Sequence, residues 1–153
     1  MKKIELSGKK GEGKFTIVDD KDFEKVNKIS WNFNGKYAIG QKNNKKIKLH
    51  RLILCTPNGM QTDHINFDKL DNRRANLRIC TNSQNMAHRK KMAKNTSSKY
   101  RGVSWHKCSK KWIATVRINK KSIHLGVFLD EKDAALAYDK RAAELFGEFA
   151  FTN

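Results

Sequence analysis

The sequence predicts an α+β fold in two parts, and three observations carry that prediction. Residues 1–49 alternate short apolar runs with clusters of Gly, Asn and Lys. Residues 50–92 are rich in Asp, His, Asn and Arg ahead of a helix-start signal. Residues 99–153 hold three strand-like runs and then a stretch of helical period. The expected architecture is a core with N-terminal strands, followed by a three-stranded antiparallel sheet packed on one α-helix.

Taken in order, Phe15–Val18 and Tyr37–Ile39 read as strands between tight turns, with a short helix over 22–29. Trp31 and Phe33 alternate with polar neighbours, as on a half-buried strand. Residues 1–49 therefore read as scaffold, to which Lys9, Lys10, Lys45 and Lys46 add positive charge. Pro57-Asn58-Gly59 makes a turn, and the stretch beyond it, carrying Asp63 and His64 on an expected strand, is too polar to be core. Thr81 followed by Gln84 is a capping-box pattern, so a helix is expected over about 82–92, with Asn85 in its first turn.

Residues 93–98 are small, polar and basic without periodicity, and read as a linker. That sets the expected domains at 1–92 and 99–153. Beyond the linker, 100–105, 112–118 and 122–128 read as strands joined by Lys-rich turns. Asp130 opens a helix whose first turn carries Glu131 and Asp133, and Gly147 stands past its end. Ala135, Tyr138, Ala142 and Leu145 fall on one face, where the alanines permit close approach to a sheet.

Thirty-three Lys and Arg face fifteen Asp and Glu, a formal charge of +18, in a chain 38% hydrophobic and 31% charged. This composition is foldable, and its field draws polyanions, so nucleic acid is the expected partner. Between Asn72 and Leu129 there is no carboxylate, a candidate footprint. A generically basic, ribosome-associated protein would share the charge. Cys55, Cys80 and Cys108 include no Cys-x-x-Cys pair, which argues against a zinc knuckle or a disulfide framework and for reduced core thiols. Nowhere do eighteen apolar residues follow one another, so no membrane association and an intracellular location are expected.

The chemistry concentrates around Asp63 and His64. Asp63 and Asn85 offer the oxygen ligands a hard divalent cation needs. His64, with an ordinary pKa of ~6.5, can take a proton from water at neutral pH, and Asn76 can orient its imidazole. The plainer reading is a turn-capping Asp-His pair among ordinary loop asparagines.

The runs Leu49-His50-Arg51-Leu52, Asp63-His64-Ile65-Asn66, Leu70-Asp71-Asn72-Arg73-Arg74-Ala75-Asn76-Leu77-Arg78, and Thr81 with Gln84-Asn85 resemble the HNH homing endonucleases of bacteriophages. The resemblance implies a ββα-metal (HNH) nuclease core over 50–92. It implies one divalent metal ion, Mg2+ or Mn2+ and not zinc, held by Asp63 and Asn85. His64 becomes the general base and Asn76 its orienter, with Asn72 a substitute. Asn85 stands where the motif's name has a His, a variation the homing branch shows. Phosphate-binding roles follow for His88 and Arg89, and for His50 and Arg51 unless those two serve the fold. The implied reaction is phosphodiester hydrolysis in double-stranded DNA by a monomer, whose single centre nicks most naturally.

Residues 99–153 resemble the Apetala/ethylene-response-factor domain of plant transcription factors. The matching runs are Tyr100-Arg101-Gly102-Val103, Trp112 to Arg117, Leu125-Gly126-Val127-Phe128, Ala134 to Asp139, and Gly147 to Asn153. The resemblance implies a sheet that enters the major groove. It places Arg101, Gly102, Thr115, Arg117 and His124 at DNA-binding positions. Lys107, Lys110, Lys111, Lys120 and Lys121, in the turns and at their edges, are one-sided enough to suggest phosphate contact. Ser104, Thr115 and His124 replace the plant Arg, Glu and Trp, so the plant target sequence does not carry over. Trp105 and Trp112 are expected in the sheet core. The alternative to an endonuclease is a DNA-binding transcriptional or architectural regulator with an inactive nuclease core.

Overall fold

The computed structural model describes residues 1–89 and 96–153, which form two compact units, Met1–Thr81 and Asn82–Asn153. The capped helix, expected over about 82–92, ends at Ala87, with His88 in a turn and Arg89 in a bend; its expected continuation over 90–92, and the first half of the linker, lie outside the described residues. The division at Thr81 groups that helix with the C-terminal unit.

The first unit opens on an antiparallel pair, β1 (Lys2–Glu5) and β2 (Phe15–Val18). Helix α1 (Asp20–Val26) carries Asp20 and Asp22 in its first turn and Lys25 in its last, both favourable to the dipole. It starts and ends earlier than the sequence suggests, because Asn27 closes it and leaves Ile29 to pack on the core. Strands β3 (Asn32–Phe33), β4 (Ala38–Lys42) and β5 (Lys45–Lys48) form an antiparallel sheet. Its β4–β5 turn places Asn43 and Asn44 at φ of 49° and 57°, which asparagine tolerates.

Helix α2 (Leu49–Leu54) buries Leu49, His50, Leu52 and Ile53. It shares one core with Val18, Val26 and Trp31. The Trp31 indole N–H donates to the Val26 carbonyl at 2.9 Å, which lets the whole ring be buried without an unsatisfied donor. At Gly40 a Cβ would stand 2.6 Å from Ile29 and 3.0 Å from the Trp31 ring. Strand β6 (Gln61–His64) pairs antiparallel with β7 (Leu77–Cys80), setting Asp63 opposite Arg78 and His64 opposite Leu77.

The second unit begins with α3 (Asn82–Ala87). Strands β8 (Val103–His106), β9 (Lys111–Ile118) and β10 (Lys121–Phe128) form an antiparallel sheet with β9 central, and α4 (Glu131–Phe146) follows. The expected three strands and helix are therefore present. Asp130 caps α4 by accepting from the Lys132 N–H at 2.6 Å, and Gly147 ends it at φ 51°. The helix buries Ala134, Ala135, Tyr138, Ala142 and Phe146, so Phe146 takes the place expected for Leu145.

Trp112 packs against the Val103–Ala114–Ala134–Ala135 cluster, as expected, whereas Trp105 is 37% exposed and meets Trp112 edge-on at 4.9 Å. Ser97 and Ser98, expected in the linker, are tied to this unit: Ser98 is buried, and the Ser97 hydroxyl accepts from the Trp105 N–H at 2.9 Å. Cys80 is buried but Cys55 and Cys108 are exposed, so the expectation of core thiols holds for Cys80 alone. No helix among the described residues is long and apolar enough to cross a membrane.

Candidate active site

Strand β6 ends on Asp63 and His64, both buried, at 3% and 0% exposure. The His64 Nε2 lies 3.1 Å from the Asn72 Oδ1. The surrounding network fixes which atom carries the proton. The Asn72 amide NH2 donates to the Thr16 hydroxyl at 2.7 Å and faces the Lys69 carbonyl at 3.5 Å, and Thr16 in turn donates to the Leu70 carbonyl at 2.8 Å. Asn72 Oδ1 must therefore accept, His64 Nε2 carries the proton, and Nδ1 keeps its lone pair. Nδ1 is buried and has no hydrogen-bond partner among the described residues.

This is what the N-terminal scaffold does for the site. The Ile17 N–H donates to the Leu70 carbonyl, and the Asn72 N–H returns the bond to the Ile17 carbonyl at 2.8 Å. Strand β2 thereby holds the loop that holds the imidazole. Thr16 and Tyr37 are the contributors that sequence reasoning missed. No spacing could have found Thr16, because it stands 56 residues from its partner.

Behind His64 lies an aromatic cluster. The His50 ring meets His64 edge-on at 5.1 Å and Tyr37 at 4.9 Å, with Tyr37 6.3 Å from His64. Burial pushes His64 down to about 4, against the opposing Asn72 hydrogen bond, and pushes His50 down to about 3, aided by His64 beside it. Both imidazoles are neutral at pH 7. His50 is buried between the Tyr37 and His64 rings, which does not suit the phosphate contact expected of it.

Asp63 Oδ2 accepts from the Arg78 Nε–H at 3.1 Å and lies 3.0 Å from Nη2 of the same guanidinium, directly across the β6–β7 pair. Lys69 is half-buried, and its ammonium is lowered by desolvation despite the nearby Asp63 charge. Among the described residues no group of three His, Cys, Asp or Glu side chains converges, so a cation here would rest on few protein ligands.

Two expected roles in this unit change. Asn76 does not touch the imidazole: its Oδ1 accepts from the Asn66 N–H at 2.9 Å and its NH2 donates to the Asp71 carbonyl at 2.8 Å, which shapes the loop. The residue on His64 is Asn72, weighed only as a substitute. Arg51 is not turned toward a phosphate either. Its guanidinium donates to the Met60, Thr56 and Pro57 carbonyls at 2.8, 3.3 and 3.1 Å, pinning the turn that leads into β6. A flexible guanidinium near unsatisfied loop carbonyls is captured by them, a competition that motif matching does not see.

In the second unit, Asn85 lies half-buried on α3. His88 is buried, which does not suit a phosphate contact, and the exposed Arg89 turns back on the Met86 sulfur at 3.2 Å. Arg101 departs from its expected role. Its guanidinium donates to the Met86, Ala87 and Arg89 carbonyls at 2.7, 2.5 and 2.6 Å, and so is held within the unit. Gly102 has a packing reason: at φ +71°, a Cβ would lie 2.1 Å from the Tyr138 ring.

The remaining sheet positions share one open surface. Ala114 and Val116 are buried, so Lys111, Thr115 and Arg117 point to the opposite face of β9. His124 pairs with Thr115 and Ser122 with Arg117 across the ladder. Lys120 and Lys121 are exposed where the chain turns from β9 into β10, with Asn119 and Lys120 at φ of 49° and 68°.

Comparison with known proteins adds two similarities. An HNH endonuclease family model matches residues 56–87, the segment holding Asp63, His64, Asn72, Asn76 and Asn85. An uncharacterized HNH endonuclease of Acanthamoeba polyphaga mimivirus is 34% identical over 157 aligned positions, covering 94% of this chain and 77% of its own. APETALA2-like protein 2 of Oryza sativa, in both the indica and japonica subspecies, is 48% identical over 59 residues. That alignment is 37% of this chain but 13% of the plant protein.

Proposed function

Because the chain belongs to the HNH endonuclease family, we propose that it is a metal-dependent DNA endonuclease of homing type, with His64 as general base. The observation that carries the reading is the hydrogen bonding of His64, from which its tautomer follows. Its Nε2 proton is committed to Asn72, while the buried Nδ1 keeps an unshared lone pair and the ring stays neutral at pH 7. A base must be unprotonated and aimed. The family reading supplied the base, and the hydrogen-bond network supports Asn72, braced by Thr16, as the group that aims it.

The donors fit a hard divalent cation. The Asp63 carboxylate and the Asn85 amide are oxygen ligands, and Mg2+ in particular is held by one or two such groups together with waters and substrate phosphate. When bound, Mg2+ or Mn2+ would neutralise the scissile phosphate and stabilise the departing 3′ oxygen. His64 Nδ1 takes the proton of the attacking water, and the pair to Asn72 shares the positive charge that develops on the ring. Arg78, on the Asp63 carboxylate, offsets its negative charge when no cation is bound.

In this reading the sheet of the second unit holds double-stranded DNA through Lys111, Thr115, Arg117, Lys120, Lys121 and His124. The likeness to a segment of the plant APETALA2-like protein supports this, as does the one-sided exposure of these residues. The protein acts as a monomer, and its single centre cuts one strand at a time.

The test is incubation with supercoiled plasmid and with genomic DNA in Mg2+, in Mn2+ and in chelator, with His64→Ala alongside. Cutting that needs metal and is lost in the variant, with relaxed circles before linear product and DNA binding retained, is the expected result. Binding without cutting in either metal would instead favour a DNA-binding regulator.

A further inference from the structure

We infer that Arg101, at the start of the sheet module, is a positioning residue for Asn85, because it grips the end of the helix that carries it. The inference rests on Asn85 being the metal ligand proposed above.

Helix α3 is only six residues, Asn82–Ala87. A helix this short does not persist on its own, since nucleation is unfavourable and most of its carbonyls lack an intrahelical partner. Its last turn is completed from elsewhere in the unit. The Arg101 guanidinium donates to the carbonyls of Met86, Ala87 and Arg89, the residues that follow Asn85. A cation at a helix C-terminus is also favoured by the dipole.

Arg101 is itself held at its backbone. The Asn153 side chain accepts from the Arg101 N–H and donates to the Arg101 carbonyl, and both the Asn153 N–H and its amide donate to Asp139 on α4 at 2.9 Å. Gly102, wedged against Tyr138, fixes the next residue. A continuous chain of contacts thus runs from α4 through Asn153 and Arg101 to the carbonyl beside Asn85. Lys would not substitute: one ammonium cannot present the planar fork that reaches three carbonyls at once. The helix bearing the proposed ligand is thereby built into the same unit as the sheet proposed to hold DNA.

The experiment compares wild type, Arg101→Ala, Arg101→Lys and Asn85→Ala in full-length protein. Three quantities are read: the Mg2+ concentration for half-maximal cleavage, DNA affinity in chelator, and amide hydrogen exchange over 82–89. For Arg101→Ala we expect a Mg2+ requirement raised ~10-fold or more, as for other supports of metal ligands, and exchange faster over 82–89. DNA affinity should stay within about twofold, less than the cost of a lost charged hydrogen bond. Arg101→Lys should lie between the two, and it keeps the test decisive if Arg101→Ala fails to fold. A loss of chelator-phase DNA affinity at unchanged Mg2+ requirement and exchange would overturn the inference and make Arg101 a DNA contact. If Asn85→Ala cuts with an unchanged Mg2+ requirement, the ligand assignment fails. If Asn85→Ala is inactive while Arg101→Ala is normal in all three readouts, only the positioning role fails.

Discussion

Asn72 Oδ1 accepts the Nε2 proton of His64 at 3.1 Å, and the same asparagine is tied through Thr16 to a strand 56 residues away. The His64 imidazole is thus oriented by a loop asparagine that is itself oriented by the N-terminal scaffold.

The first prediction separates the two loop asparagines. Asn72→Ala should lower kcat by about 10- to 100-fold with KM little changed, since a base that has lost its orienting partner still binds substrate. Asn76→Ala should instead lower the melting temperature, because it leaves the Asn66 N–H and the Asp71 carbonyl short of partners, at about 1–3 kcal/mol. Equal kcat losses without a stability difference would contradict this division.

Acid should destabilise the first unit through His50 and His64. Both are held below the ordinary value of 6.5, at about 3 and about 4, so the unfolded chain binds more protons than the folded one in that range. Stability contributed by the neutral rings is full above pH 6.5 and falls as pH drops toward 4, at up to ~1.4 kcal/mol per pH unit for each histidine. Denaturant melts between pH 4 and 7 check this. His50→Phe, which keeps a buried ring without a titratable nitrogen, should flatten the slope.

Arg51 is predicted to support the fold and not the phosphate. Arg51→Ala removes donors from the Thr56, Pro57 and Met60 carbonyls and should cost about 1–3 kcal/mol of stability. The salt dependence of DNA binding should not change. A shallower salt slope at unaltered stability would restore the phosphate role.

Arg117, Lys120 and Lys121 should behave in the opposite way. Replacing all three with Ala should reduce the slope of log K against log salt by about 2 to 3, at ~0.9 per phosphate contact, with melting temperature nearly constant. An unchanged slope would remove the open sheet face from the DNA interface.

Gly102→Ala should unfold the second unit or lower its stability by several kcal/mol. The added Cβ meets the Tyr138 ring at 2.1 Å and the Thr115 carbonyl at 2.6 Å in a backbone of positive φ. Limited proteolysis should then clip 96–153 while leaving 1–81 protected.

The sequence by itself determined the elements whose signals are local. The three strands and the capped helix of the second unit follow from periodicity, an Asp at one end and a Gly at the other. So does the β6 strand ending on Asp63 and His64, and so does the family, which is written in contiguous runs of residues. Tertiary structure alone decided which asparagine meets the imidazole and where each arginine points. Asn72 and Asn76 are chemically identical and four positions apart, and only the loop's anchorage to Thr16 and Ile17 turns Asn72 toward His64. Arg51 and Arg101 each fit a DNA contact by motif, yet each lies beside backbone carbonyls that need donors. A long, flexible cation goes to whichever acceptors the fold brings within reach, and that proximity is a property of the folded chain.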